Sequence, residues 1–442
     1  MSSDEIAFAS LSSVSELLER FELTSEELVR RHLERAESIS ELNAFISLFA
    51  DQALDEARRA DRLRRKGKTL GPFHGIPITA KDIVWSKGQR TTSGSKVAAD
   101  FVPDRDAPAL ASLRAAGAVL LGKTNLHEFA YGVSNVNPHY GAARNPSDRS
   151  RVSGGSSGGS AVALAAGVGY GSIGTDTGGS IRIPAALCGI VGLKPTYGRI
   201  SRDGVTPLSW SLDHVGPMAR TVEDVALLYE VMSGETLEHG PKSLDGFRVG
   251  LHTRYFFDRL VPDIEDAVRG AIGELERLGG RVVHIDIPDI ELQGVCRNTI
   301  AFAEASCYHE ENIRSRPEEY GEDTRELLRL GLLIPATDYL AALRARRRIV
   351  RSFRIAFEEI DVLVAPTTPA PAPSIGATVL ENGEELRSGL LRLVSPFNTV
   401  GFPAISLPCG NTSAGLPIGL QIAAGPGGEA SILRVARALE QK

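Results

Sequence analysis

From Thr24 the chain sets apolar residues at helical spacing. "LTSEELVRRHLERAESIS" offers Thr24 or Ser25 as a cap, acids in the first turn, and apolar residues at Leu28, Leu33 and Ala36, which predicts an amphipathic helix. A second helix is expected from about Asp51 to Lys66, and its high charge predicts a surface position. The texture then changes. Short apolar runs punctuated by glycine and proline follow, "GIPITAKDIV", "AVLLGKTN", "VGYGSIGTD" and "CGIVGLKPT", with the helical stretches "DAPALASLRAAG" and "SAVALAAGV" between them. Strands alternating with helices predict a largely parallel sheet covered on both faces.

From Phe247 the pattern restarts as "FRVGLHT", then "PDIEDAVRGAIGELERLGG", then "RVVHIDI", a strand-helix-strand unit. A long helical region from about Leu292 to Ile360 precedes two late strands, "DVLVAPTTP" and "PAISLPCG". With no internal repeat, the second half is expected to join the sheet of the first.

Composition narrows the function. At 442 residues, 42% hydrophobic and 24% charged, the chain can bury an ordinary globular core. Lys plus Arg at 49 against Asp plus Glu at 55 gives 49 − 55 = −6, with no basic block to track phosphates, so nucleic acid is not an expected ligand. Cys188, Cys296, Cys307 and Cys409 lie far apart without CxxC spacing and read as buried free thiols. The opening "MSSDEIAFAS" is acidic where a signal peptide is basic, and no stretch approaches the roughly 20 apolar residues of a membrane span, so a cytoplasmic protein is expected.

Three short motifs fail on context. "GAVLLGKT" (Gly117 to Thr124) fits a phosphate-loop signature, but its middle residues read as a strand and not as an exposed loop. "GGSSG" fits GxSxG at Ser156, yet "NPSDRSRVS" before it is not the strand that a nucleophile elbow needs. "DTG" at Asp176 has no second copy with which to share a proton. What survives is "RVSGGSSGGSA", Arg151 to Ala161. A flexible linker has no reason to run straight into the apolar helix and strand of "AVALAAGVGYGSIGTD", so this loop is expected to be shaped.

Those residues, with "GIPITAKDIV", "GKTNLHEFAYG", "DTGGSIRIPAALCGIVGLKPT", "NTVGFPAISLPCG" and "GLPIGLQI", resemble the amidase signature enzymes over nearly the whole chain. The resemblance implies an α/β fold. It would be a single α/β/α sandwich around a large mixed sheet, one domain over 1–442 with an N-terminal helical segment at about 1–66 and a signature core at about 70–220. It also implies Ser180 as nucleophile, Ser156 after a cis peptide as bridge, and Lys81 as base. The chemistry agrees, because a serine hydroxyl needs a base to become a nucleophile and a buried lysine can be kept neutral to serve as one. "TGGS" would aim the amides of Thr177, Gly178, Gly179 and Ser180 at an oxyanion. Ser157 is assigned to supporting Lys81 or the loop, Asp176 and Arg182 to holding the nucleophile loop, and Phe129, Tyr131 and Gly132 to the pocket wall. His127 and His139 are expected to be structural or pocket-lining.

The resemblance implies no metal or organic cofactor, and a small-molecule amide or carbamate substrate with no nucleic-acid or membrane partner; a homodimer is allowed. A small to medium carboxamide, aryl included, is the first expectation, with carbamates and esters open. The rival is the A subunit of the tRNA-dependent amidotransferase, which carries an arginine-rich "KRRIMLG"-like segment. Here the comparable Thr324 to Gly331 reads "TRELLRLG", with Glu326 and Leu327 in place of the paired arginines.

Overall fold

The structure, a computed structural model, describes residues 3–238 and 243–440. Its strands are β1 (Phe45–Leu48), β2 (Pro77–Lys81), β3 (Val119–Thr124), β4 (Val136–Asn137), β5 (Gly141–Ala142), β6 (Ser172–Asp176), β7 (Val191–Lys194), β8 (His214–Ala219), β9 (Arg248–Leu251), β10 (Arg281–His284), β11 (Val362–Pro366), β12 (Ala404–Asn411) and β13 (Pro417–Ala423). Eleven of them form one sheet in the order β1-β3-β2-β6-β8-β7-β12-β13-β11-β9-β10, and β4 pairs with β5 apart from it.

The sheet is mixed, as the resemblance implied and not as the alternating pattern predicted. Strands β2, β3 and β6 run parallel, as do β9, β10 and β11. Between these two groups every pairing is antiparallel. The cause is local. The connection from β12 to β13 is too short for a crossover, so the two must return antiparallel, and this hairpin is inserted at the centre of the sheet.

Alternation along β3 shows the layers. Val119 and Leu121 pack with Val29, Ala53, Ala57 and Val162 from the helices Ser25–Ser38, Ala50–Arg65 and Gly158–Ala165. Leu120 faces the other way, into the cluster that holds Leu113, Leu228, Val268 and Leu433 from the helices on the opposite face. Such a strand, buried on both sides, reads as a continuous apolar run.

The Ser25–Ser38 helix is capped as expected, Thr24 Oγ1 accepting from Glu27 N at 3.1 Å, a contact worth about 1 kcal/mol. The helix Ala50–Arg65 is less superficial than its charge predicts. Ala53, Ala57 and Ala60 are buried, and Asp61 accepts from the amides of Ser25 and Glu26 at 2.8 and 3.0 Å. Two of its charges therefore serve the neighbouring helix, for Arg64 also donates to Ser25 Oγ and His74 O. All four cysteines are free. Cys188 and Cys296 are buried as expected, whereas Cys307 is exposed. No helix among the described residues is long and apolar enough to cross a membrane.

Candidate active site

Lys81 ends β2, a strand buried at every residue. The parallel register Thr79↔Ser172 and Ala80↔Ile173 brings the ends of β2 and β6 side by side, and the carboxyl ends of parallel strands are where α/β folds place ligands. Lys81 Nζ donates to Ser156 Oγ at 2.8 Å and to Thr175 Oγ1 at 2.7 Å. Burial pushes the ammonium down to about 7, against the opposing fields of Asp176 and Asp213. A lysine in this position can lose its proton near neutrality.

The loop that holds Ser156 is buried from residue 153 to 160, so it is no linker. The Gly155–Ser156 peptide is cis. A Cβ on Gly155 would come within 2.8 Å of Asn135 N, and one on Gly159 within 2.4 Å of Asn125 N. Glycine is required there because a second stretch of backbone passes too closely for any side chain. Ser157 N donates to Ser180 O at 3.1 Å, tying this loop to the next. Ser157 Oγ donates to Thr175 O at 3.2 Å. It therefore reaches Lys81 only through Thr175.

Asp176 organises the loop that carries Ser180. Its carboxylate accepts from the amides of Gly179 at 2.8 Å and Ile181 at 3.1 Å, and from Arg182 Nε and Nη2 at 3.0 and 2.9 Å. Burial alone would push this carboxyl up, but Arg182, Lys194 and Asn398 outweigh it and hold it well below the usual range. Arg182 also donates to Val394 O, Gln421 Oε1 and Asn398 Oδ1.

The expected oxyanion donors differ in their hydrogen bonding. The Gly179 amide is committed to Asp176, while the amides of Thr177, Gly178 and Ser180 make no hydrogen bond to another described residue. Gly179 instead supplies a φ of +136°, where a Cβ would stand 2.3 Å from Val394. Ser180 is 6% exposed, and its Oγ takes no partner among the described residues.

A cleft of about 430 Å³ opens beside the loop. Ile83, Trp85, Thr177, Trp210, Asp213 and Tyr308 are among its lining residues. Thr177 Oγ1 donates to Asp213 Oδ1 at 2.5 Å, and the amides of Leu208 and Ser209 donate to the same carboxylate. Burial pushes Asp213 up to about 6.

The expected pocket wall is not part of this cleft. Phe129 packs against His309 and Tyr320, and a Cβ on Gly132 would collide with the His127 ring. Tyr131 lies beneath Arg387. Of that segment, Ala130 reaches the cleft. His127 Nε2 is hydrogen-bonded to Asp323 Oδ2 and His139 Nε2 to Glu128 Oε1, both at 2.8 Å. Sequence reasoning missed Thr175 and Asp213. Thr175 lies one residue before Asp176, and adjacency of the strands that end in Lys81 and Asp176 was the signal that could have found it. Asp213 lies far from every signature motif and had no such signal.

Lys123, the lysine of the false phosphate loop, is buried in β3. It donates to Thr91 Oγ1 at 3.0 Å and stands 3.7 Å from Asp82. Among the described residues no group of three or more His, Cys, Asp or Glu could hold a metal ion.

Comparison with known proteins places this geometry among relatives. The family model described as Amidase matches residues 27–433. The A subunit of glutamyl-tRNA(Gln) amidotransferase from Moorella thermoacetica is 38% identical, the alignment covering 99% of this chain and 97% of the relative. A crystal structure of an amidase superposes with a TM-score of 0.93 at 36% identity, covering 98% of this chain and 99% of the other. Native peptide amidase from Stenotrophomonas maltophilia superposes with a TM-score of 0.86 at 32% identity, over 98% and 96%.

Proposed function

The chain belongs to the amidase signature family, and on that premise we propose that it hydrolyses the C–N bond of a small to medium carboxamide through an acyl-enzyme on Ser180. The observation that carries this reading is the buried Lys81–Ser156 hydrogen bond beside the Ser180 loop. Neutral Lys81 takes the Ser156 proton as Ser156 takes that of Ser180, and Ser180 Oγ attacks the carbonyl carbon. The negative charge that develops on the carbonyl oxygen meets the unengaged amides of Thr177, Gly178 and Ser180. Each such donor typically contributes about 2.7–4 kcal/mol to the transition state. The proton returns through Ser156 to the departing nitrogen, the acyl-enzyme forms, and water repeats the cycle with Ser180 as leaving group. Trp85, Trp210 and Tyr308 give the cleft an aromatic lining that suits an aryl substituent.

A second reading is favoured by relatives such as the Moorella thermoacetica amidotransferase A subunit. Against it stands the helix Glu322–Gly331, where Glu326 is exposed and Leu327 half-buried in place of paired arginines. Assaying the purified chain alone against amides, anilides, carbamates, aryl esters and glutamine separates the two. Turnover of a simple amide without partner or ATP supports the hydrolase. Activity confined to glutamine and to a complex supports the subunit.

A further inference from the structure

Glu304, on the helix Gln293–Ser315, is 1% exposed, and neutral donors surround its carboxylate. Ser209 Oγ donates to it at 2.6 Å, Ser211 Oγ at 2.7 Å, the Ser211 amide at 3.1 Å and the Tyr339 hydroxyl at 2.9 Å. A carboxylate has about four acceptor sites, so this one is fully engaged within the protein. Burying a carboxylate is costly unless it is hydrogen-bonded, and bonds to an ionised group are about twice as strong as neutral ones. The tie is therefore firm, and it joins distant parts of the chain. Ser209 and Ser211 lie just before β8, whereas Glu304 and Tyr339 stand on the helices Gln293–Ser315 and Ala336–Glu359.

The residue between the two serines is Trp210. Its carbonyl accepts from the Tyr197 hydroxyl at 2.8 Å and from Arg202, and Arg346 Nη2 donates to the next carbonyl, Ser211 O, at 3.0 Å. Asp213 closes the turn by accepting from the amides of Leu208 and Ser209. The backbone is thus held from several directions, while the indole is 43% exposed and lines the cleft of about 430 Å³. Trp85, in the same cleft, is fixed differently. Its ring packs edge-on against Phe101 and beneath Arg105, and its Nε1 donates to Thr206 Oγ1 at 3.4 Å. The Trp210 ring has no aromatic, cationic or hydrogen-bonding partner among the described residues. The place of that ring follows from the place of its backbone.

We propose that Glu304 is a positioning residue: by holding Ser209 and Ser211 it fixes Trp210 as a specificity-determining wall of the cleft, against which a flat aromatic group of the substrate lies. A wall fixed in advance leaves less freedom to be lost when substrate binds, and contact between aromatic faces adds to simple burial. The aromatic preference rests on the hydrolytic reading of Ser180, whereas the positioning of Trp210 does not.

The chain has two tryptophans, so Trp85→Phe leaves Trp210 as the sole indole emitter. In that background Glu304→Ala should raise acrylamide quenching of Trp210 about twofold or more and lower its fluorescence anisotropy. Glu304→Gln, which keeps an acceptor for the Ser211 amide, should recover part of both. Ser209→Ala combined with Ser211→Ala cuts the same tie from the loop side and should act in the same direction, even if Glu304→Ala does not fold. Quenching and anisotropy unchanged in these variants overturn the positioning role. Selectivity is read by comparing phenylacetamide with cyclohexylacetamide, which is similar in bulk but not flat. Wild type should favour the phenyl compound about threefold or more in kcat/KM. Trp210→Ala should bring that ratio to about one, and Glu304→Ala should lower it about twofold or more, through KM and not kcat. A wild type that favours the cyclohexyl compound, or a ratio untouched by Trp210→Ala, overturns the aromatic wall. If neither amide is cleaved while quenching rises in Glu304→Ala, the hydrolytic reading falls and the positioning of Trp210 by Glu304 stands.

Discussion

Lys81 Nζ and Ser156 Oγ are hydrogen-bonded at 2.8 Å, with both residues closed to solvent. Burial favours the neutral amine, so Lys81 is a free amine above about pH 7 and an ammonium below it. The sign follows directly. The rate constant kcat/KM for an amide should rise about tenfold per pH unit below 7 and level off above it. Lys81→Ala should lose that limb. It should also slow an amide much more than a matched aryl ester, because an amine leaves badly without a returned proton whereas a phenolate departs readily. A pH limb that survives in the variant would remove Lys81 as the base.

Lys81 lies within the field of Asp213. Its negative charge favours the Lys81 ammonium, and it is itself pushed up to about 6 by burial. Asp213→Asn takes the charge away and leaves an acceptor for Thr177. The apparent pKa of the kcat/KM profile should therefore move down, by a few tenths of a unit or more. An upward movement, or none, would mean that Asp213 does not act on Lys81.

The Arg182–Asp176 pair binds the Ser180 loop to the sheet. Arg182→Met leaves the Asp176 carboxylate buried without its main partner, a loss that usually costs about 3–5 kcal/mol. Denaturant unfolding should show destabilisation of that order at pH 7, together with loss of turnover as the Ser180 loop relaxes. A change below about 1 kcal/mol would show the pair to be dispensable.

Much of this was legible in the sequence because the site is built from contiguous stretches. "TAKD", "GGSSGG" and "DTGGSIR" each carry one of the residues proposed to react, and the glycines betray close backbone approaches such as Gly155 against Asn135. The strand-helix-strand unit at Phe247 was legible for the same reason, since its period is local. What could not be read depends on distant pairing. The β12–β13 hairpin enters the sheet between β7 and β11, which no local pattern encodes. The commitment of the Gly179 amide to Asp176 depends on how one loop closes. Phe129 and Tyr131 have pocket-like side chains, but the helix Gln293–Ser315 covers them through His309 and Phe302. Glu304 gave no signal at all, for it becomes unusual only when it is buried against Ser209 and Ser211.

The central claim is that Ser180, served by Ser156 and Lys81, is the residue that becomes acylated. Treating the chain with a fluorophosphonate and mapping the adduct by peptide mass spectrometry tests it most directly. The account predicts one adduct, on Ser180, absent from Ser180→Ala and formed more slowly in Lys81→Ala. An adduct on Ser156, or labelling that persists in Ser180→Ala, would contradict it.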